Sequence, residues 1–154
     1  MLQRIQTLYL LAATALMVVF TLSPFASFSG DGNIYTMSAM GLESFDGELM
    51  YRLPHLIIVA ILAALLPFAN IFLFKKRMLQ VRLCVVQIVL ALGVLAIVGV
   101  YYYLGNRTFG GAAGGDSSLR IVCALPIVSM VFDFLALKAI FKDEMLIKSL
   151  DRIR

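Results

Sequence analysis

The residue whose chemistry stands out most in this chain is Asp133, because it places a carboxylic acid inside the apolar run IVSMVFDFLALKAIF. Inserting an ionisable group into a membrane helix costs about 2.5–3.5 kcal/mol, so such a group is a candidate for function. Asn70 and Gln87 lie in two other apolar runs, and Arg4 lies at the start of a further one. At the helical rise, Asn70 and Gln87 lie about 6 Å, and Asp133 about 12 Å, from the same end of their helices. We therefore expect one polar cluster of Asp133, Gln87, Asn70 and Arg4.

Such a cluster has two interpretations. Its amides and carboxylate can join the helices by hydrogen bonds, with Arg4 or Lys138 as a cationic partner for Asp133. Alternatively, a proton or small solute crosses the protein by way of Asp133. The first interpretation is favoured, because a transport path normally has polar groups throughout its depth. The other half of the predicted helices offers only His55, Thr14 and Ser129.

No pattern in the sequence indicates a catalytic or metal site. There is one histidine, His55, and the two cysteines fall near opposite ends of different predicted helices, too far apart for a disulfide within one chain. The acidic stretch DGNIYTMSAMGLE lacks the middle carboxylates of a calcium loop, and GNRTFGGAAGGDSS lacks the lysine of a phosphate-binding loop. We predict no metal, no cofactor and no enzymatic activity.

The apolar content of the sequence indicates the secondary-structure elements that position these residues. Hydrophobic residues make up 62% of the 154 residues and charged residues 14%, whereas a soluble domain carries about 25% charge. Four apolar runs are each long enough to cross a hydrocarbon core of about 30 Å as a helix. We predict an all-α membrane protein in one domain, 1–154: a bundle of four transmembrane helices over residues 5–22, 53–74, 83–104 and 119–141.

The positions of the basic residues predict the orientation. Three of the 13 Lys and Arg residues, Arg52, Arg107 and Arg120, fall at one end of the helices, and the other ten fall at the opposite end or on the two termini. By the positive-inside rule, both termini are cytoplasmic. A cleaved signal peptide is the alternative for the first helix, because PFASFSG follows its apolar run. The basic excess indicates contact with anionic lipid headgroups, and no nucleic-acid-binding signature accompanies it.

The segments outside the helices predict a cap and a tail. Residues 23–52 are too long for a tight turn and should fold over the outer end of the bundle as an extracytoplasmic loop cap, with short strands or turns around 33–40. The cytoplasmic tail, 142–154, repeats apolar residues at helical spacing, with Glu144 four residues before Lys148. We expect an amphipathic extension of the fourth helix. The predicted partner-binding inner face comprises Gln3, Gln6, Asp143, Glu144, Lys148, Asp151 and Arg152.

The two ends of the chain also resemble those of a known protein family. The opening MLQRIQTLYLLAA and the closing KDEMLIKSLDRIR resemble an uncharacterised Bacteroidota family of small four-helix inner-membrane proteins, DUF4293. The resemblance covers the whole chain in layout, although the middle matches only as apolar spans. It implies a bacterial inner (cytoplasmic) membrane and brings no established activity, so it assigns no catalytic residue.

Together these observations predict a multi-pass membrane protein without enzymatic activity. The leading hypothesis is an accessory or structural subunit that binds another membrane protein, or a second copy of itself, through its inner face. The alternative is a small proton-coupled transporter or carrier that uses Asp133. Membrane lipids are expected contacts, and nucleic acid is not.

Overall fold

Four long helices form the body of the protein. The computed structural model describes residues 2–30, 33–44, 47–73, 76–110 and 116–151. The helices are α1 (Leu2–Leu22), α2 (Pro54–Phe72), α3 (Arg77–Gly105) and α4 (Leu125–Asp151). α1 packs against α2 and α4, and α3 packs against the same two helices, so the four form a closed ring.

The connection between α1 and α2 is a sheet. Its strands are β1 (Ala26–Gly30), β2 (Asn33–Met37), β3 (Gly41–Ser44), β4 (Leu49–Arg52) and, from a later part of the chain, β5 (Ser117–Leu119). All pairings are antiparallel, in the order β4-β3-β2-β1-β5. We call the end of the bundle that carries the sheet the sheet end. The opposite end, where α1 begins and α4 ends, is the terminal end.

The sheet corrects the prediction of an all-α fold. Short strands were expected only around 33–40, within a loop cap, whereas β5 lies at the end of GNRTFGGAAGGDSS and at the predicted start of the fourth helix. β1 shows why a strand forms here: Ala26 and Phe28 are buried, whereas Ser27 and Ser29 point away from the core. This alternation has the two-residue period of a strand with one buried face. Because β1 has only five residues, its alternation is hard to recognise in the sequence beside the long apolar runs.

Each helix buries one narrow seam of residues spaced three or four apart. In α1 the seam comprises Gln6, Leu10, Ala13, Met17 and Phe20. This spacing keeps residues on one face of a helix with 3.6 residues per turn. Apart from Ser129 of α4, each seam is apolar toward the sheet end, and each has polar members toward the terminal end. The remaining faces stay exposed and are largely apolar.

The core at the sheet end is built from aromatic residues where the helices meet the sheet. Phe20 of α1 and Phe25 stack with ring centroids 5.8 Å apart, and Phe28 of β1 packs against Tyr102 at 5.7 Å. Gly105 ends α3 directly under Phe28, where an added Cβ would lie 2.7 Å from the ring. Glycine at this position therefore permits the close approach of α3 to the sheet.

Two helix starts each differ by six residues from those predicted. α3 begins at Arg77 rather than at 83, because its charged first turns contain good helix formers and need not be apolar to be helical. α4 begins at Leu125 rather than at 119, because residues 117–119 pair with β1 and a short 3₁₀ turn, Ile121–Ala124, follows. At its other end α4 continues to Asp151, so the predicted helical extension of the tail is confirmed along its backbone.

Four helical segments have the length and composition of membrane spans. They are Ile5–Leu22, Pro54–Phe72, Arg77–Thr108 and Ile121–Leu146, with mean hydropathies between 2.0 and 2.8. Between 22% and 33% of each span is buried within the protein, so most of its apolar surface faces outward. A water-exposed helix would be polar on that surface.

Candidate functional site

The predicted polar cluster begins where α2 ends and α3 starts. Gln80 donates through Nε2 to the backbone oxygen of Asn70 at 2.9 Å. In return, Asn70 donates through Nδ2 to the backbone oxygen of Gln80 and to Sγ of Cys84, each at 3.3 Å. Both amide side chains are buried. These reciprocal bonds connect the two helices of the α2–α3 hairpin.

Sequence reasoning placed Asn70 in the cluster but missed Gln80 and the contribution of Cys84. A signal for both was present, since Gln80, Cys84 and Gln87 are spaced four and then three residues apart. Residues at this spacing lie on one helical face. Gln80 was not predicted as a cluster member because it lies before the start of the predicted third helix, at residue 83.

Asp133 and Gln87 form the deeper part of the cluster. Gln87 lies one turn beyond Cys84 on α3, and Cys84 belongs to a buried cluster with Ala136, which lies three residues after Asp133 on α4. Gln87 is 1% exposed and Asp133 is 2% exposed. The two side chains therefore extend the cluster from the α2–α3 hairpin to α4.

Several polar atoms of the cluster lack a hydrogen-bond partner among the described residues. They are Oδ1 of Asn70, Oε1 and Nε2 of Gln87, and Oδ1 of Asp133. A buried polar atom left unpaired costs about 1–3 kcal/mol. Three of the four are acceptor oxygens and one of them belongs to a carboxyl group. Chemically, this arrangement can take up a proton, hydrogen-bond donors such as water, or a small cation.

The cationic partners predicted for Asp133 have different outcomes. Lys138 is exposed, and within the described ranges the structure contains no ion pair between Lys138 and Asp133. A spacing of five residues explains this, because it places the two side chains on different faces of α4. The side chain of Arg4 lies outside the described residues, so the predicted pairing of Arg4 with Asp133 stays a prediction.

The buried polar side chains are concentrated in the half of the bundle nearer the terminal end. In the other half, the α3 seam continues as Ala91, Val94 and Val98. On α4, Ser129 donates to the backbone oxygen of Ala13 at 3.5 Å, a weak contact between α4 and α1. Over the described part of the chain, the buried seams therefore provide no polar path that reaches the sheet end.

The predicted partner-binding face contains an internal contact. Gln6 donates through Nε2 to Oδ2 of Asp143 at 2.6 Å, and both side chains are at most 8% exposed. In this conformation they join α1 to α4. Glu144 follows on α4 and is partly buried. The side chains of Gln3, Lys148, Asp151 and Arg152 lie outside the described residues.

His55 lies at the sheet end, far along the chain from the polar cluster. It stands in the first turn of α2, beside Pro54, and is exposed. Among the described residues there is no group of three or more His, Cys, Asp or Glu side chains that could hold a metal ion.

Four apolar helices with a buried polar cluster and an antiparallel sheet over one end define a helical protein of the kind whose helices can span a membrane. The chain belongs to the family described as Domain of unknown function (DUF4293), whose model matches residues 2–153. This confirms the resemblance carried by the two ends of the sequence. A bacterial origin in the Bacteroidota stays a prediction. None of the curated proteins matches the chain.

Proposed function

We propose that this protein is a multi-pass protein of the bacterial inner membrane, with both termini in the cytoplasm. Within that membrane it is a non-enzymatic accessory or structural subunit, and its terminal end binds another membrane protein. The proposal has three supports: the outward apolar surface of the helices, the distribution of basic residues, and the shape of the terminal end.

The outward surface supports the membrane location. Large apolar side chains are exposed on all four helices, for example Leu11 at 56%, Leu65 at 54%, Val89 at 61% and Phe134 at 56%. Soluble monomers rarely expose contiguous apolar patches larger than a few hundred Å². Lipid acyl chains are the environment in which such a surface is stable.

Basic residues support the orientation. Among the described residues, the basic residues toward the terminal end are Lys76, Arg77, Arg82, Lys138 and Lys142, whereas the sheet end carries three, Arg52, Arg107 and Arg120. The excess on the terminal end follows the positive-inside rule for a cytoplasmic face. The sheet then lies on the extracytoplasmic side.

The projecting end of α4 is the observation that carries the proposed subunit role. The Gln6–Asp143 bond sets the relative height of α1 and α4, and α4 continues for eight residues beyond Asp143, to Asp151. α1 continues for only four residues beyond Gln6, to Leu2. At the helical rise, the described part of α4 therefore extends about 6 Å further than the described part of α1.

Side chains at the base of this projection suit a helical partner. Phe141 and Met145 are 49% and 53% exposed, and they are spaced four residues apart on one face. Lys142, an exposed charge, stands beside them. An apolar stripe flanked by charges is the pattern by which an amphipathic helix binds a complementary surface.

Copurification from native membranes tests the subunit role. A chain that ends at Leu146 loses the projecting residues but keeps Gln6 and Asp143, so the bundle should remain intact. We expect the full chain to recover a stoichiometric membrane-protein partner and the shortened chain to recover at least tenfold less. Glu48→Gln, which changes an exposed charge at the sheet end, is the control and should recover the partner fully. A full chain that always purifies alone, or a shortened chain that retains the partner, would overturn the proposal.

A second candidate function has one specific observation in its favour. Oδ1 of Asp133 and both amide atoms of Gln87 lack partners among the described residues, as in a site that accepts a proton or small solute. A carrier would have to open this site to both surfaces, across the apolar half of the bundle near the sheet. If the protein is a carrier, removing the Asp133 carboxylate should abolish the flux of its solute.

A further inference from the structure

The sheet and the helix ends beneath it line a partly open cavity of about 610 Å³. Its walls come from three strands, the start of α2 and the end of α3, so it lies at the junction of the sheet and the bundle. Leu42, Leu53 and Leu104 give it an apolar lining. The volume falls within the range of about 300–1,000 Å³ that is usual for small-molecule sites.

One side of the cavity carries a positive charge. Arg52, the last residue of β4, contributes to the lining, and His55 and Tyr101 add further hydrogen-bonding groups. No acidic residue occurs among the described lining residues, and the described part of the chain offers Arg52 no ion-pair partner. A guanidinium is charged at all physiological pH values and binds carboxylates through two parallel hydrogen bonds. The cavity therefore complements an anion joined to an apolar body.

The position of the cavity along the helices suits a ligand that has an anionic head and an apolar body. Arg52 lies two residues before Pro54, where the apolar span of α2 begins. In the proposed membrane placement, the charge lies at the depth of the headgroups, and the apolar wall at Leu104 borders the acyl chains. An amphiphile can then enter in the orientation that it already has in the bilayer.

We propose that this cavity binds a single-chain amphiphile with an anionic head, represented by a long-chain fatty acid. The carboxylate pairs with Arg52, and the acyl chain lies against Leu42, Leu53 and Leu104. A volume of about 610 Å³ suits one chain better than a two-chain phospholipid. The site is separate from the terminal end, so it exists whether or not the protein binds a partner there.

Binding of radiolabelled palmitate to the full chain in phosphatidylcholine nanodiscs tests the proposal, with empty nanodiscs subtracted. We expect saturable binding of one palmitate per chain. Hexadecanol, which has the same chain without the charge, should bind at least tenfold more weakly. Across shorter saturated fatty acids, affinity referred to the free aqueous concentration should fall about fourfold for each methylene removed.

Three variants identify the site. Arg52→Gln should weaken palmitate binding at least tenfold and leave the weak binding of hexadecanol unchanged. Arg120→Gln is the matched control, because it removes an exposed arginine at the same end that does not line the cavity. Leu104→Trp keeps Arg52 but fills the cavity, so it should reduce binding of both compounds. Thermal unfolding of each variant establishes that it is folded.

Several results would overturn the proposal. Absence of saturable palmitate binding by the folded full chain would do so directly. Equal weakening by Arg120→Gln would assign the effect to general surface charge. Unchanged binding in Leu104→Trp would place the ligand outside the cavity. If phosphatidylglycerol displaced palmitate at equal or lower concentration, the occupant would be a two-chain phospholipid instead.

Discussion

Asp133 has the surroundings of a buried acid rather than of an ion pair. It is 2% exposed, and its Oδ1 atom accepts no hydrogen bond from the described residues. A charge that is buried without a partner loses several kcal/mol of hydration. The buried polar residues Cys84 and Gln87 of α3 have neutral side chains that cannot compensate as a cation would. The carboxyl group must therefore hold a proton, contact water, or meet a group beyond the described part of the chain.

Replacing Asp133 with asparagine separates a structural role from a transport role. Asp133→Asn keeps the shape and removes the charge, so we expect the free energy of unfolding to stay within about 1 kcal/mol of the parent or to rise. If the protein is a subunit, partner recovery should also be unchanged. Thermal unfolding in detergent and flux into proteoliposomes are the two measurements.

Ser129→Ala, which alters the same face of α4, is the control for general effects on packing. Its hydrogen bond of 3.5 Å is weak, so we expect little change in either measurement. A fall of more than about 2 kcal/mol in Asp133→Asn would indicate an ionised pair that the variant breaks. A proton-dependent flux that disappears only in Asp133→Asn would favour the carrier over the subunit.

At the scale of the elements, the ring of helices depends on contacts between the two ends of the chain. α1 and α4 are separated by more than 100 residues, and the Gln6–Asp143 bond joins them at the terminal end. Hydrogen bonds to charged groups contribute about 1.5–3 kcal/mol, more than those between neutral groups. Because this bond closes the ring, it should contribute measurably to the stability of the bundle.

A double-mutant cycle measures this contribution. Gln6→Ala and Asp143→Ala should each destabilise the protein, and the double variant should be less destabilised than the sum, with a coupling energy of about 1.5–3 kcal/mol. The pair Gln6→Ala and Ser129→Ala, on the same two helices but distant from each other, should be additive within about 0.5 kcal/mol. Additivity of Gln6→Ala and Asp143→Ala in denaturant titrations would mean that the bond does not stabilise the fold.

The elements also show how far local patterns predict structure. α1 and α2 match the predicted spans closely, because each is a long apolar run bounded by turn residues. β5 was missed, since three residues with the sequence SSL carry no local signal. It exists because β1 offers a free edge with which its backbone can pair. The pairing joins positions 89 to 93 residues apart, a distance that no local window covers.

As a whole, the molecule has its apolar surface outside and its polar side chains either inside or at the two ends. The sheet closes one end, and charged residues surround the other. In the proposed membrane placement, burial in lipid removes the need for a wide hydrophobic core, so each helix needs only a narrow seam for contact with its neighbours. The proposal therefore puts the sheet and the terminal end on opposite sides of the membrane.

Labelling with a membrane-impermeant maleimide tests this orientation. In a Cys123→Ala background, where the remaining Cys84 is buried, Glu48→Cys at the sheet end should be labelled from outside intact spheroplasts. Lys142→Cys at the terminal end should be labelled only after permeabilisation. Both positions are exposed, so access by the reagent depends on the side of the membrane. Labelling of Lys142→Cys in intact spheroplasts would contradict the proposed topology.

The sequence by itself determined the four helices, the concentration of polar residues toward one end, and the family. Backbone groups in a long apolar run can pair only within that run, so helices follow from composition and length alone. Tertiary structure decided the sheet, the Asn70–Gln80 bonds, the Gln6–Asp143 contact and the cavity beside Arg52. Each of these depends on the rotation and height of one element relative to another. Such relations arise from packing over the whole chain, and no local spacing of residues specifies them.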